Sequence, residues 1–139
     1  MAQMLATIGF DADDTLWENE QFFRASESRL MELLSPFAEG TNISARLLEA
    51  ERKNLQFYGY GIKGFTLSMI DTAISITAGK VPADVIAAIL AAGREMLTHP
   101  IETPPYVKEP LEALAGQYRL VLITKGDLFH QESKVARSG

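Results

Sequence analysis

The stretch MLATIGFDADDTLW, residues 4–17, sets how the rest of the chain is read. Its first half, MLATIGF, is an apolar run with no period-2 alternation. Such a run predicts a strand covered on both faces, as the parallel strands of α/β folds are. Three carboxylates follow at once, Asp11, Asp13 and Asp14, then Thr15 and Leu16. Open α/β sheets carry their chemistry at the carboxyl ends of strands, which is where these acids fall. Acids so closely spaced repel one another and need a cation, a shared proton or good solvation. An acidic turn with Asp14 or Thr15 capping the next helix accounts for one of them. The other two point to a functional site.

Composition narrows the classes around that stretch. With 139 residues the chain has a single-domain length and can bury a modest core. A hydrophobic share of 47% is ordinary for a globular protein, and mean hydropathy is +0.01. The net charge of −5 argues against a nucleic-acid partner or an anionic membrane surface. No cysteine is present, which removes disulfides, thiolate catalysis and Cys-based zinc sites. No basic region followed by a cleavable apolar segment opens the chain, and the longest aliphatic run, residues 85–92, is too short for a bilayer. A soluble, cytoplasmic protein is expected.

After Trp17 the pattern turns helical for about ninety residues. Over 18–37, Phe22, Phe23, Leu30, Leu33, Leu34 and Phe37 recur at helical spacing, and Pro36 and Gly40 provide the exit. A second helix is predicted over 44–58, with Leu47, Leu48, Leu55 and Tyr58 on one face, broken by Gly59-Tyr60-Gly61. A third, over 62–78, carries Phe65, Met69, Ala73 and Ile76 and stops at Gly79. Pro82 and Asp84 open a fourth, buried through Val85, Ile86, Ile89, Leu90 and Leu97. Four such helices make a small bundle.

His99-Pro100 and Thr103-Pro104-Pro105 mark the exit from that bundle. A short helix over 107–115 is expected, then a second apolar strand over 118–123, YRLVLI, emptying into Thr124-Lys125-Gly126-Asp127. A last helix starts near Asp127. If the two strands are parallel neighbours, Asp11 and Thr124 meet at one sheet edge. That convergence is a second, independent pointer to a site.

Two segments now carry a family resemblance. FDADDTL, residues 10–16, resembles the first motif, hhhDxDx[TV]L, of the haloacid dehalogenase-like hydrolase superfamily. VLITKGD, residues 121–127, resembles its second, an apolar strand ending in Thr or Ser, and residues 131–134 are similar to the helix that follows. The helical insertion resembles the family's C1-type cap. The implied fold class is α/β, a partial Rossmann-like parallel sheet. The core would comprise residues 1–17 and 104–139, and the cap 18–103.

The resemblance implies a Mg²⁺-dependent phosphate monoester hydrolase acting on a small phosphorylated metabolite. Asp11 would be the nucleophile, forming an aspartyl-phosphate. Asp13 would protonate the leaving alkoxide and then activate water. The Mg²⁺ would take the Asp11 carboxylate and the main-chain carbonyl of Asp13. Thr124 would hydrogen-bond a phosphoryl oxygen, helped by the amides of Lys125 and Gly126. Family members that displace halide from carbon have no acid at position 13, because halide leaves without a proton; Asp13 points to phosphate esters.

Other candidates carry bland readings. Asp14 fits a turn or cap. Trp17, Phe22, Phe57, Tyr58 and Tyr60 fit the bundle core as well as a substrate pocket. Lys125 fits a solvated side chain as well as a phosphate ligand, and His99 and His130 fit structural or surface positions. The family's third motif, a Lys, and fourth, an acidic pair, belong to later strands. Lys134 comes too soon after Thr124, and on the wrong element, to be that Lys. The expectation is the N-terminal part of a larger domain, with weak Mg²⁺ affinity, negligible turnover and self-association, most simply as a homodimer. Two other classes fit parts of the pattern. One is a non-catalytic interaction module. The other is a phosphoacceptor receiver domain, which the insertion after the first strand contradicts.

Overall fold

The computed structural model describes residues 4–139. Two strands, β1 (Thr7–Asp11) and β2 (Arg119–Ile123), pair in parallel with Thr7 opposite Arg119 and Asp11 opposite Ile123. Parallel partners need a crossover. Here it consists of α1 (Glu20–Leu34), α2 (Ile43–Tyr58), α3 (Ile62–Ile76), α4 (Ala83–Thr98) and α5 (Pro105–Ala115), and α6 (Leu128–Ser138) follows β2. The class is α/β, with a small parallel sheet and six helices.

The first strand is shorter than its apolar run predicts, because its partner runs out. The Arg119 amide donates to the Ala6 carbonyl at 2.9 Å, and Met4, Leu5 and Ala6 are exposed. The expected double-sided burial is not met either. Ile123 is 62% exposed, and Val121 and Leu122 are exposed too. A two-stranded sheet offers each strand one bonded edge and, among the described residues, no layer covering both faces.

The bundle forms where helical periodicity places it, with changed ends. Asp14, at φ +61°, accepts hydrogen bonds from the Asn19 and Glu20 amides at 2.8 and 2.9 Å, so α1 starts at Glu20. Pro36 ends α1 in a single 3₁₀ turn, Ser35–Phe37. Asn42 caps α2 through the Ala45 amide at 3.0 Å. Leu30, Leu34, Leu47, Phe65, Met69 and Ile89 are among the residues forming the core, with Phe23 edge-on to Phe65 at 4.9 Å. The predicted face of α2 is corrected: Leu48, Leu55 and Tyr58 are exposed, while Asn54 is buried. Its amide donates to Ser68 Oγ and Asp71 Oδ2 at 3.2 and 2.8 Å, so a polar contact replaces an apolar one against α3. Leu90 of α4 is likewise more exposed than its periodicity predicts.

On α6 the usual amphipathic order is reversed. His130, Gln131 and Lys134 are buried, while Leu128 and Phe129 are exposed, Phe129 at 76%. The Asp127 carboxylate caps the helix through the His130 amide at 2.9 Å. At the other end, Arg137 donates to the His99 and Leu97 carbonyls at the carboxyl end of α4, at 3.0 and 3.3 Å. Among the described residues no helix is long and apolar enough to cross a membrane.

Two predictions follow from this packing. Helices α3 and α4 approach so closely that a Cβ on Gly93 would lie 2.4 Å from Thr66 Oγ1 and 2.8 Å from its Cγ2. Gly93→Ala is expected to destabilise the fold by about 1–3 kcal/mol despite alanine's better helix propensity. Thr66→Ala in the same chain should recover most of that loss in urea denaturation. The second concerns His130, whose pKa is pushed down to about 4, mainly by burial and then by the charges of Lys134 and Arg137. The unfolded ring takes up a proton near its ordinary 6.5, the folded ring only near 4. Acidification through that window therefore removes stability, and raising the pH restores it. His130→Phe should flatten the stability–pH curve over that window; an unchanged slope would show that the fold does not hold the ring neutral.

Candidate active site

The parallel register brings the carboxyl ends of β1 and β2 side by side. Asp11 ends β1 opposite Ile123, so Thr124 follows directly at the same edge. Asp11 is exposed, and one carboxylate oxygen accepts from Thr15 Oγ1 at 3.1 Å. After the buried Ala12, Asp13 turns inward.

Asp13 is the best-anchored acid of the three. Oδ1 accepts from Trp17 Nε1 and from Lys134 Nζ, both at 2.9 Å, and Oδ2 accepts from Gln131 Nε2 at 3.1 Å. Burial works against its charge. The hydrogen bonds from Lys134 and Trp17, the Lys134 charge and the Gln131 bond outweigh that and hold the carboxyl below the ordinary carboxylate range. Lys134 is itself 5% exposed, and Nζ also donates to Asn19 Oδ1 at 3.2 Å. Gln131 Nε2 lies 2.5 Å from Thr124 Oγ1 and 3.0 Å from the Lys125 carbonyl. Gly126, at φ +139°, packs on the Gln131 side chain, which a Cβ there would meet at 3.4 Å.

These groups open on a cleft of roughly 450 Å³ between the helical bundle and the β2–α6 loop. Asp13, Lys125, Gly126 and Lys134 line one end, and Tyr58, Tyr60 and Phe23 line the bundle side. Lys125 Nζ sits 5.3 Å from the Tyr60 ring centroid. Lys63 reaches from α3 to Asp127 Oδ1 at 3.0 Å, and together with the His130 amide, the stronger influence, holds that carboxyl below the ordinary range. Glu51, also at the cleft, is pushed up by burial and by the nearby Glu27 and Glu20.

The structure thus joins Asp13, Thr124 and Lys125 through Gln131, while Asp11 stands next to them and outside that network. Neither Asp11 nor Thr124 lines the cleft itself. Phe22 packs on His99 at 4.0 Å, and Phe57 is exposed away from the cleft. Trp17 is buried outside the main bundle cluster and does not line the pocket; its Nε1 donates to Asp13. Lys134, which sequence spacing excludes only as the third-motif Lys, is a site residue that sequence reasoning missed. One turn beyond Gln131, it faces back across the loop and reaches Asp13, a contact that spacing along the chain does not reveal. Periodicity gave no such signal: over 128–138 Leu128, Phe129, Val135 and Ala136 fall on one helical stripe, and that stripe is the face the structure leaves exposed.

Among the described residues no group of three or more His, Cys, Asp or Glu is arranged to hold a metal. Mg²⁺, however, binds through one or two carboxylates with waters and substrate phosphate completing its shell. The exposed Asp11 carboxylate fits that donor set, while the three bonds on Asp13 leave its side chain engaged elsewhere.

Comparison with known proteins sets this geometry in a family. No protein-family model matches the chain, and no curated protein does. Solved structures do. A haloacid dehalogenase-like family hydrolase from Xanthomonas campestris is 46% identical, with a TM-score of 0.90 over 97% of this chain. The match covers 57% of that protein, so this chain spans little more than half its length. A 2-haloacid dehalogenase from Pseudomonas syringae pv. Tomato DC3000 shares the fold at a TM-score of 0.52 and 19% identity, over 98% of this chain and 67% of that one. With the acid pair at the end of β1, the Thr124 loop at the end of β2 and a near-superimposable relative, this chain belongs to the haloacid dehalogenase-like hydrolase superfamily.

Proposed function

We propose that the protein hydrolyses a phosphate monoester of a small metabolite with Mg²⁺, through a covalent phosphoryl intermediate on Asp11. The observation that carries this reading is Asp13, a carboxylate held at the cleft two residues beyond an exposed one. Asp11 has a carboxylate oxygen free to attack phosphorus while Thr15 holds the other. As the bond to the leaving oxygen breaks, that oxygen takes a proton from Asp13. Asp13 then accepts a proton from water, whose oxygen attacks phosphorus and releases Asp11 and inorganic phosphate. The resting charge of Asp13 suits this second half. For the first half, an incoming phosphate dianion beside it raises its proton affinity. Thr124 Oγ1 and the amides of Lys125 and Gly126 would take the remaining phosphoryl oxygens. Bound Mg²⁺ would supply charge neutralisation, held by Asp11 and the main-chain carbonyl of Asp13.

Carbon–halogen hydrolysis is the second reading, favoured by the name of the Pseudomonas neighbour. An anchored acid has no task there, since halide departs unprotonated. The four-helix segment is read as a cap whose Tyr58 and Tyr60 select the leaving group.

Turnover of p-nitrophenyl phosphate with Mg²⁺, against 2-chloropropionate, separates the two reactions. Asp11→Asn should abolish phosphate release with the circular dichroism spectrum unchanged, and Asp13→Asn should slow it ~10²–10⁴-fold. Near-normal release by Asp11→Asn would remove the nucleophile assignment. Tyr58→Ala and Tyr60→Ala should lower kcat/KM on bulky phosphate esters by at least about tenfold more than on p-nitrophenyl phosphate. Equal losses on both would mean that these rings only support the bundle.

A further inference from the structure

Gln131 and Lys134 stand three positions apart on α6, so one helix face presents both. Both side chains are buried there, while the apolar Leu128 and Phe129 of the same helix face outward. Burying a lysine is costly, and replacing a buried ion pair by well-packed apolar residues is often neutral or stabilising. Docking α6 did not require this pair; the site gives it a task. Gln131 Nε2 touches Asp13 Oδ2, Thr124 Oγ1 and the Lys125 carbonyl together. Lys134 Nζ is fixed between Asp13 Oδ1 and Asn19 Oδ1.

We propose that Gln131 and Lys134 are positioning residues of the hydrolytic site, Lys134 locking the Asp13 carboxylate and Gln131 setting the gap between Asp13 and Thr124. The proposal rests on the phosphatase reading, in which those two side chains serve different oxygens of one phosphorus. Thr124 must reach a phosphoryl oxygen while Asp13 reaches the leaving oxygen. A carboxylate on a loop rotates freely unless both oxygens are held. Misplacement by about 1 Å costs on the order of 10²-fold in rate. The helix after β2 therefore gauges the site, although neither residue needs to touch the substrate.

The absence of cysteine from the chain allows a test at a single atom position. Lys134→Cys in the intact protein should lower kcat on p-nitrophenyl phosphate with Mg²⁺ by ~10²-fold, with KM within about threefold. Alkylation of that cysteine with 2-bromoethylamine rebuilds an ammonium of near-native reach and should recover at least about tenfold of the lost kcat. Gln131→Met, of similar volume, should also lower kcat at nearly constant KM, and it decides the matter if Lys134→Cys does not fold. Variants with wild-type kcat, or a Lys134→Cys loss that alkylation leaves unchanged, would reduce the pair to helix docking and overturn the proposal alone. Absence of turnover in the intact wild-type protein, rather than in residues 1–139 alone, would instead overturn the phosphatase reading, and the positioning role with it.

Discussion

The ion pair between Lys134 and Asp13 is the contact on which the rest of the site depends. It joins residues 121 positions apart and ties the loop after β1 to the helix after β2. A buried ammonium without its carboxylate would be several kcal/mol out of balance, so α6 docks by this face most favourably while Asp13 is charged. Conversely, Asp13 stays charged in a half-buried position only because Lys134 and Trp17 compensate its lost water. Gln131 then extends the arrangement to Thr124, and the two strand ends become one surface.

The cleft beside this pair is electrically divided. Lys125 and Lys134 stand near Asp13, whereas Glu51 lies on the bundle side, where burial and then Glu27 and Glu20 raise its proton affinity. Asp13 already matches the charge of Lys134, so Lys125 is the cation at that end on which an entering anion would depend. Under the proposed phosphatase reading, the phosphoryl group would sit toward Lys125 and the remainder of the substrate toward the bundle side.

Much of this was legible from residue order. Apolar runs that end in acids or in a hydroxyl located both strands, and helical periodicity with glycine and proline punctuation located the helices. The parallel pairing of β1 and β2 followed from the long segment between them. Less legible were the faces. Leu48 and Leu55 look like core residues in a helical pattern, yet α2 docks through Leu47 and Asn54, because Ser68 and Asp71 across the interface satisfy the amide. The double-sided burial expected of the strands presumes covering layers, and apolar sequence cannot supply them. The Lys134–Asp13 contact is illegible for a related reason: motif spacing measures distance along the chain, whereas a helix turning back from a sheet edge folds a residue onto the loop it left behind.

The order of the elements also has a bearing on how the molecule assembles. Helices α1 to α4 pack mainly on neighbours in sequence, but β1 has no strand partner until β2, more than a hundred residues later. Contacts between near neighbours form early, while closing so long a loop is slow. On a ribosome, the bundle leaves the exit tunnel before β2 and α6 are made. Throughout that interval the first strand waits unpaired, and Asp13 has no ammonium beside it. The surface where the two strand ends meet therefore forms after the bundle, and the nascent helices precede any chemistry they would govern.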